Sequence, residues 1–153
     1  MPVVRYQLRP AVAADYDFIY RLNKECFREF VTQIWGWDES LQADLFRKGF
    51  HPELTDIIAC DSHDVGFFSV ERRTDEIFLR SIVITADYQG QGIGGSLVRT
   101  LIGEATAAHF PITLQVLKPN PVTPFYEHFG FRITGQTETH FLMKWTPPAY
   151  MLS

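Results

Sequence analysis

Only two cysteines occur among the 153 residues, Cys26 and Cys60, far apart and outside any Cys-x-x-Cys spacing. That rules out a disulfide framework, and two reduced thiols are expected. The five histidines show no metal-ligand spacing either, so no metal is expected. Long hydrophobic runs are missing, and the N-terminal residues lack a signal-peptide pattern. A cytoplasmic location without a membrane partner is therefore expected. Positive charge is scarce. A formal net charge of −4 argues against nucleic acid as a partner, because such domains usually carry a basic stripe. Mild acidity suits a cationic amine instead. No internal repeat or low-complexity linker divides the chain, and its length suits one domain over residues 1–153.

What is present is an ordinary globular composition, 46% hydrophobic and 21% charged. One stretch departs from the ordinary. Gly90, Gly92, Gly94 and Gly95 fall within six positions, between the apolar run Ile82-Val83-Ile84 and a segment with helical periodicity. In that segment Ile93, Leu97, Val98, Leu101, Ile102 and Ala105 recur on one face. A glycine-rich turn opening a helix presents successive N–H groups to an anion, above all phosphate. A P-loop reading fails, because Gly95-Ser96 stands where Lys-Ser/Thr is required. A dinucleotide reading formally matches Gly90-Gln91-Gly92-Ile93-Gly94-Gly95. It lacks its ribose-binding acid, since the next strand, Ile112 to Leu117, ends in Lys118.

The remaining chain reads as alternating elements. Tyr6 to Arg9 is a strand, and a first helix runs from about Ala13 to Phe30. Trp35-Gly36-Trp37 makes a break, and Asp38 or Ser40 caps a second helix to about Lys48. Asp56 to Cys60 and Val65 to Arg72 are strands joined by the turn Asp61-Ser62-His63-Asp64. Glu76 to Thr85 leads into the glycine loop. A short Pro-started helix ends at Gly130, followed by strands Phe131 to Thr134 and Thr139 to Lys144. This order indicates an α/β fold of the mixed α+β kind, a mixed sheet covered by helices.

Gln89-Gly90-Gln91-Gly92-Ile93-Gly94 also follows the pattern Gln/Arg-x-x-Gly-x-Gly/Ala. Further on come Asn120-Pro121-Val122-Thr123-Pro124-Phe125-Tyr126 and the closing Gly130-Phe131. Leu8-Arg9-Pro10-Ala11 and Ala14-Asp15 stand at the other end. Together these resemble the GNAT superfamily of N-acetyltransferases. Asn120 stands one residue closer to Phe125-Tyr126 than in the commonest form of the motif. The resemblance implies the GNAT fold: a central mixed, mostly antiparallel sheet of about seven strands with a V-shaped splay, flanked by about four helices. It also implies acetyl-CoA as the acetyl donor. The pyrophosphate would lie on the amides of Gln91 to Ser96, within a loop of Gln89, Gly90, Gln91, Gly92, Ile93, Gly94, Gly95 and Ser96. The main chain of Ile82, Val83 and Ile84 would line the pantetheine arm, with Asn120, Phe125 and Tyr126 completing the cofactor residues.

Acetyl transfer needs a proton removed from the amine, a donor for the oxyanion, and a proton for the departing sulfur. The resemblance places Tyr126 at the sulfur, and a phenol with an ordinary pKa near 10 is protonated there at neutral pH. The other reading of Tyr126 is packing against the glycine-loop helix. Glu76 matches the offset of the glutamate that serves as base in the histone acetyltransferase branch, and ordered water is the alternative. Trp35, Trp37 and Asp38 read either as an acceptor wall for an aminium group or as anchors and a helix cap. The expected activity is transfer of an acetyl group to a primary amine of a small molecule, by direct attack in a ternary complex. Acetylation of a peptide or protein amino group, and non-catalytic acyl-CoA binding, are the alternatives. The expected state is monomer or homodimer, with the apolar Tyr150-Met151-Leu152 available to cover a partner or the protein's own surface.

Overall fold

The structure, a computed structural model, describes residues 4–148; Tyr150-Met151-Leu152 lies outside the described residues. Seven strands form one sheet in the order β1-β2-β3-β4-β5-β7-β6. They are β1 (Gln7–Pro10), β2 (Thr55–Cys60), β3 (His63–Arg72), β4 (Ile77–Ile84), β5 (Ile112–Leu117), β6 (Arg132–Gln136) and β7 (His140–Trp145). Four α-helices accompany them: α1 (Tyr16–Trp35), α2 (Glu39–Gly49), α3 (Ile93–Ala108) and α4 (Thr123–His128). The mixed, mostly antiparallel sheet of seven strands with four helices is the architecture expected from the sequence. By contacts the chain forms two compact units. One runs through Ser69 and includes Ser81–Ile93; the other comprises Val70–Arg80 and the residues from Gly94 onward.

In the first unit β1 lies antiparallel on β2, with Leu8 opposite Ile58, and β2 lies antiparallel on β3. The β2–β3 turn is two residues, Asp61 and Ser62, at φ of 49° and 70°. Paired positive φ values match the twist of the flanking strands, so the strand starts at His63 and the turn is shorter than the four residues expected. Helix α1 packs Ile19 and Leu22 on Ala11, Ile57, Phe67 and Val83, with Phe18, Cys26, Phe27, Phe46 and Phe50 around them. The helix begins later than expected, after a 3-10 turn over Ala13–Asp15. Arg9 grips both carboxylate oxygens of Asp15, at 3.0 and 2.9 Å, and fixes that turn. The helix also ends five residues later than expected, at Trp35, capped by Gly36 at φ of 77°, whose N–H bonds the Thr32 carbonyl.

In the second unit β5 pairs along its whole length with β7, from Ile112↔Trp145 to Leu117↔His140. Its parallel pairing with β4 is confined to Ile77↔Ile112 and Phe78↔Thr113. The ladder stops there, leaving Leu79 and Arg80 beyond the last pair. Leu97, Val98, Leu101 and Ala105 of α3 are buried, as are Ile112, Leu114, Val116, Phe131 and Met143 of the strand layer. That is the face the helical periodicity predicts, apart from Ile102, which is only half-buried.

Candidate functional site

Within the first unit, β4 carries Ile82, Val83 and Ile84 to the start of the loop, with Val83 buried and its neighbours half-buried. Gly66 of β3 shapes this strand end. A Cβ on Gly66 would stand 2.3 Å from the Val83 carbonyl oxygen and 3.2 Å from the Ile84 Cα, so only glycine permits this backbone approach. The Thr85 N–H then bonds the Val65 carbonyl at 2.8 Å and fastens the point where strand becomes loop. Sequence reading misses Gly66. Its signal was an isolated glycine inside the apolar strand Val65-Gly66-Phe67-Phe68, which marks a bulge or a close approach.

The loop itself works through its main chain. Gly90 and Gly92 have φ of 74° and 88°, conformations that L side chains rarely adopt. Nothing lies within 4 Å of a Cβ built on Gly90, so conformation rather than space demands glycine there. Gln89 and Gln91 turn their side chains back into their own segment: Gln89 Nε2 donates to the Ile84 carbonyl at 2.7 Å, Gln91 Nε2 to the Asp87 carbonyl at 3.0 Å. Residues 89–92 are exposed, while Ile93 is buried and anchors the helix start. With Ile93 as the first helical residue, the amides of Gly92, Ile93, Gly94 and Gly95 have no acceptor within the helix. Ser96 is the first whose N–H meets a helical carbonyl, which narrows the helical donors anticipated up to Ser96. The strand end narrows as well, because the Ile84 carbonyl already faces Gln89, and Cys26 Sγ lies 3.9 Å away.

The Trp35–Asp38 connector also lies in this unit. Asp38 caps α2 by accepting from the Leu41 N–H at 3.0 Å. The Trp37 indole donates to Glu39, and its ring carries Lys24 Nζ at 5.8 Å and Arg28 Cζ at 5.5 Å from the centroid. Lys24 is paired with Glu39 in turn. The anchoring and capping roles are thus visible for Trp37 and Asp38, whereas Trp35 remains 58% exposed at the end of α1.

In the second unit α4 holds Tyr126, which is 8% exposed. Its ring meets Phe125 and Phe131 edge-on, with centroids 5.0 and 5.5 Å away. Its hydroxyl bonds to no described residue. Burial pushes the phenol up to about 12, so the neutral, proton-carrying form dominates at physiological pH. Gly130, at φ of 96°, closes the helix while the Phe131 N–H bonds the Tyr126 carbonyl at 3.2 Å. Phe129 packs against α3: its Cζ would lie 3.2 Å from a Cβ on Gly95, and Arg99 sits over its ring. Gly95 therefore serves close helix packing, not a special φ. The Asn120 N–H bonds the Leu117 carbonyl in the turn after β5. Glu76 precedes β4, at the opposite end of that strand from Ile82–Ile84. Its carboxylate accepts from Arg73 at 3.1 Å and from the Thr113 hydroxyl at 2.8 Å, close to where β4 and β5 pair.

Among the described residues no cluster of three His, Cys, Asp or Glu gathers for a metal, and no helix is long and apolar enough to cross a membrane. The acetyltransferase (GNAT) domain profile matches residues 54–133. In structure the chain is similar to PaiA N-acetyltransferase from Thermoplasma acidophilum in complex with coenzyme A. The TM-score is 0.74 at 17% identity, covering 94% of this chain and 99% of that one. It is also similar to Arabidopsis thaliana Naa50 in complex with the bisubstrate analogue CoA-Ac-MVNAL (TM-score 0.65, 19% identity, 94% and 99% covered). A third is the ribosomal-protein-S18-alanine N-acetyltransferase of Escherichia coli (TM-score 0.66, 19% identity, 95% and 96% covered). At these identities the likeness is one of fold.

Proposed function

Because the chain belongs to the GNAT acetyltransferase family, we propose that it moves the acetyl group of acetyl-CoA to a primary amine of a small molecule, by direct attack in a ternary complex. One observation carries this reading. The loop from Gly90 leads into a 16-residue helix whose first amides, Gly92 to Gly95, have no acceptor within it, and the Gln89 and Gln91 side chains are turned back on their own segment. That surface suits the coenzyme pyrophosphate, which is anionic and needs several N–H donors. The pantetheine arm would follow the end of β4, using the Ile82 main chain and the amides of Val83 and Ile84. One of those amides would also serve the tetrahedral oxyanion.

In the reaction the amine nitrogen forms a bond to the acetyl carbon and the carbon–sulfur bond breaks. Tyr126 gives its proton to the departing thiolate, a role suited to a buried phenol held neutral. The amine's proton goes to water; Glu76, at the far end of β4 and already held by Arg73 and Thr113, would serve as base only through ordered water. Asn120 and Phe125 complete the coenzyme residues of this proposal. Trp35 is the connector residue with exposed surface for an acceptor, while Trp37 and Asp38 would shape that wall from behind. The whole chain would act as a single catalytic domain.

A second acceptor reading has support from the relatives. Two similar structures carry names that specify peptide or protein acceptors, a CoA-Ac-MVNAL conjugate and the alanine of ribosomal protein S18. Release of free coenzyme A from acetyl-CoA, measured with small amines and with peptides bearing free N-termini, tests both. Turnover with small amines supports the first reading; turnover with peptides alone supports the second. Tight acetyl-CoA binding without turnover on any amine, unchanged in Tyr126→Phe, would make the protein a binding module instead.

A further inference from the structure

The Ile84 carbonyl is the last one of β4, the strand that enters the glycine loop, and two side chains from different segments point at it. Gln89 Nε2 is 2.7 Å away and Cys26 Sγ, from the middle of α1, is 3.9 Å away. A carbonyl oxygen has two lone pairs, so both places are filled from within the chain. The acceptor also fixes the orientation of the Gln89 amide, since only its NH2 group can face a carbonyl. Gln89 lies in the extended region, at φ of −73° and ψ of 154°, immediately before Gly90. Its side chain closes a ring back to the strand carbonyl five positions upstream, spanning the 3-10 turn Ala86–Tyr88. Gly90 and Gly92 loosen this segment, and glycine-rich backbone loses much freedom on ordering. A hydrogen bond that holds the first residue of the loop restricts what the glycines would otherwise sample.

We propose that Gln89 is a positioning residue: its side chain binds no coenzyme, but tethers the loop to the strand end and holds the Gly90–Gly95 amides in their donating arrangement, with the Cys26 thiol as a weaker second donor. What position 89 requires is a side-chain donor of sufficient length. Arginine meets that need; methionine and glutamate, of similar size, do not. Burial holds the Cys26 thiol above its ordinary range, so it remains protonated and able to donate. The consequence for affinity rests on the coenzyme reading above, whereas the consequence for loop order does not.

The test compares wild type with Gln89→Met, Gln89→Glu, Gln89→Arg and Cys26→Ala in two measurements. The first is nitrogen-15 relaxation of coenzyme-free protein. Gln89→Met lowers the backbone order parameters at Gly90–Ile93 and leaves those of the β2 and β3 core amides unchanged; equal loop order parameters in wild type and Gln89→Met overturn the tether. The second is coenzyme A affinity by calorimetry. Gln89→Met and Gln89→Glu weaken it about tenfold, Cys26→Ala about twofold, and Gln89→Arg stays within about threefold of wild type. Unchanged affinity in Gln89→Met, or a loss in Gln89→Arg as large as in Gln89→Met, also overturns the proposal. Should wild type itself fail to bind coenzyme A, the functional reading falls, and the relaxation result still decides the tether.

Discussion

The glycine loop and the Trp35–Asp38 connector are the two most distinctive segments of the sequence; both engage side chains internally, but the loop leaves main chain exposed and the connector leaves the Trp35 side chain exposed. In the loop, Gln89 and Gln91 fold back onto carbonyls of their own segment, and the exposed main chain is left to act. In the connector, Asp38 caps a helix and Trp37 carries two cations of α1, so the distinctive side chains are engaged internally. A loop that acts through backbone is recognisable from composition, because glycine pattern and backbone conformation are linked. A pocket that acts through side chains is not, because the same Trp and Asp serve packing and capping equally well.

The comparison breaks most sharply at Gly92. Its φ of 88° excludes a β-branched residue, so Gly92→Val is expected to weaken acetyl-CoA binding by about a hundredfold or more, the scale of losing several charge-assisted amide contacts. Calorimetry reads this, and far-ultraviolet circular dichroism shows the fold retained. Tyr126→Phe should come next: kcat falls about a hundredfold while KM for acetyl-CoA stays near that of wild type, as expected for loss of a general acid. The same variant has a signature in stability. The Tyr126 phenol, raised by burial, favours the folded state as long as it is protonated in both states. That contribution is present below the unfolded value near 10 and is lost as pH rises through about 12. Between those values the thermal midpoint of wild type should fall more steeply than that of Tyr126→Phe.

Smaller effects sharpen the contrast. Gly66→Ala forces a Cβ against the Val83 carbonyl, and a loss of about 2 kcal/mol is expected in chemical denaturation, together with weaker coenzyme binding because the strand end shifts. Asp38→Ala removes only the α2 cap and should cost about 1 kcal/mol, with coenzyme affinity unchanged. A large loss of coenzyme affinity in Asp38→Ala would place the connector in the coenzyme site and erase the distinction between the two segments.

The order of the elements was legible in the sequence because the periodicities are long and the glycines sit at element boundaries. Where boundaries moved, a local bond explains it. Arg9 holding Asp15 delays α1, and the Gly36 N–H on the Thr32 carbonyl prolongs it past Phe30. At the β2–β3 turn, Asp61 and Ser62 take positive φ without glycine, which a composition-based reading does not anticipate. At the site, the loop and Tyr126 were legible as motifs. Gly66 and the Gln89 tether were not, because each depends on a backbone from another strand or turn that only the fold brings near. Glu76 shows the same limit: its offset from the loop is a sequence fact, but its bonds to Arg73 and Thr113 are not.

Under the proposed function, backbone amides at the mouth of α3 hold the coenzyme pyrophosphate. Titrating coenzyme A into nitrogen-15-labelled protein and following every amide resonance tests it most directly. The largest shifts are expected at Gly92, Ile93, Gly94 and Gly95, with the connector from Trp35 to Glu39 nearly still. Saturable binding whose largest shifts fall on the connector, with those four amides unmoved, would contradict it.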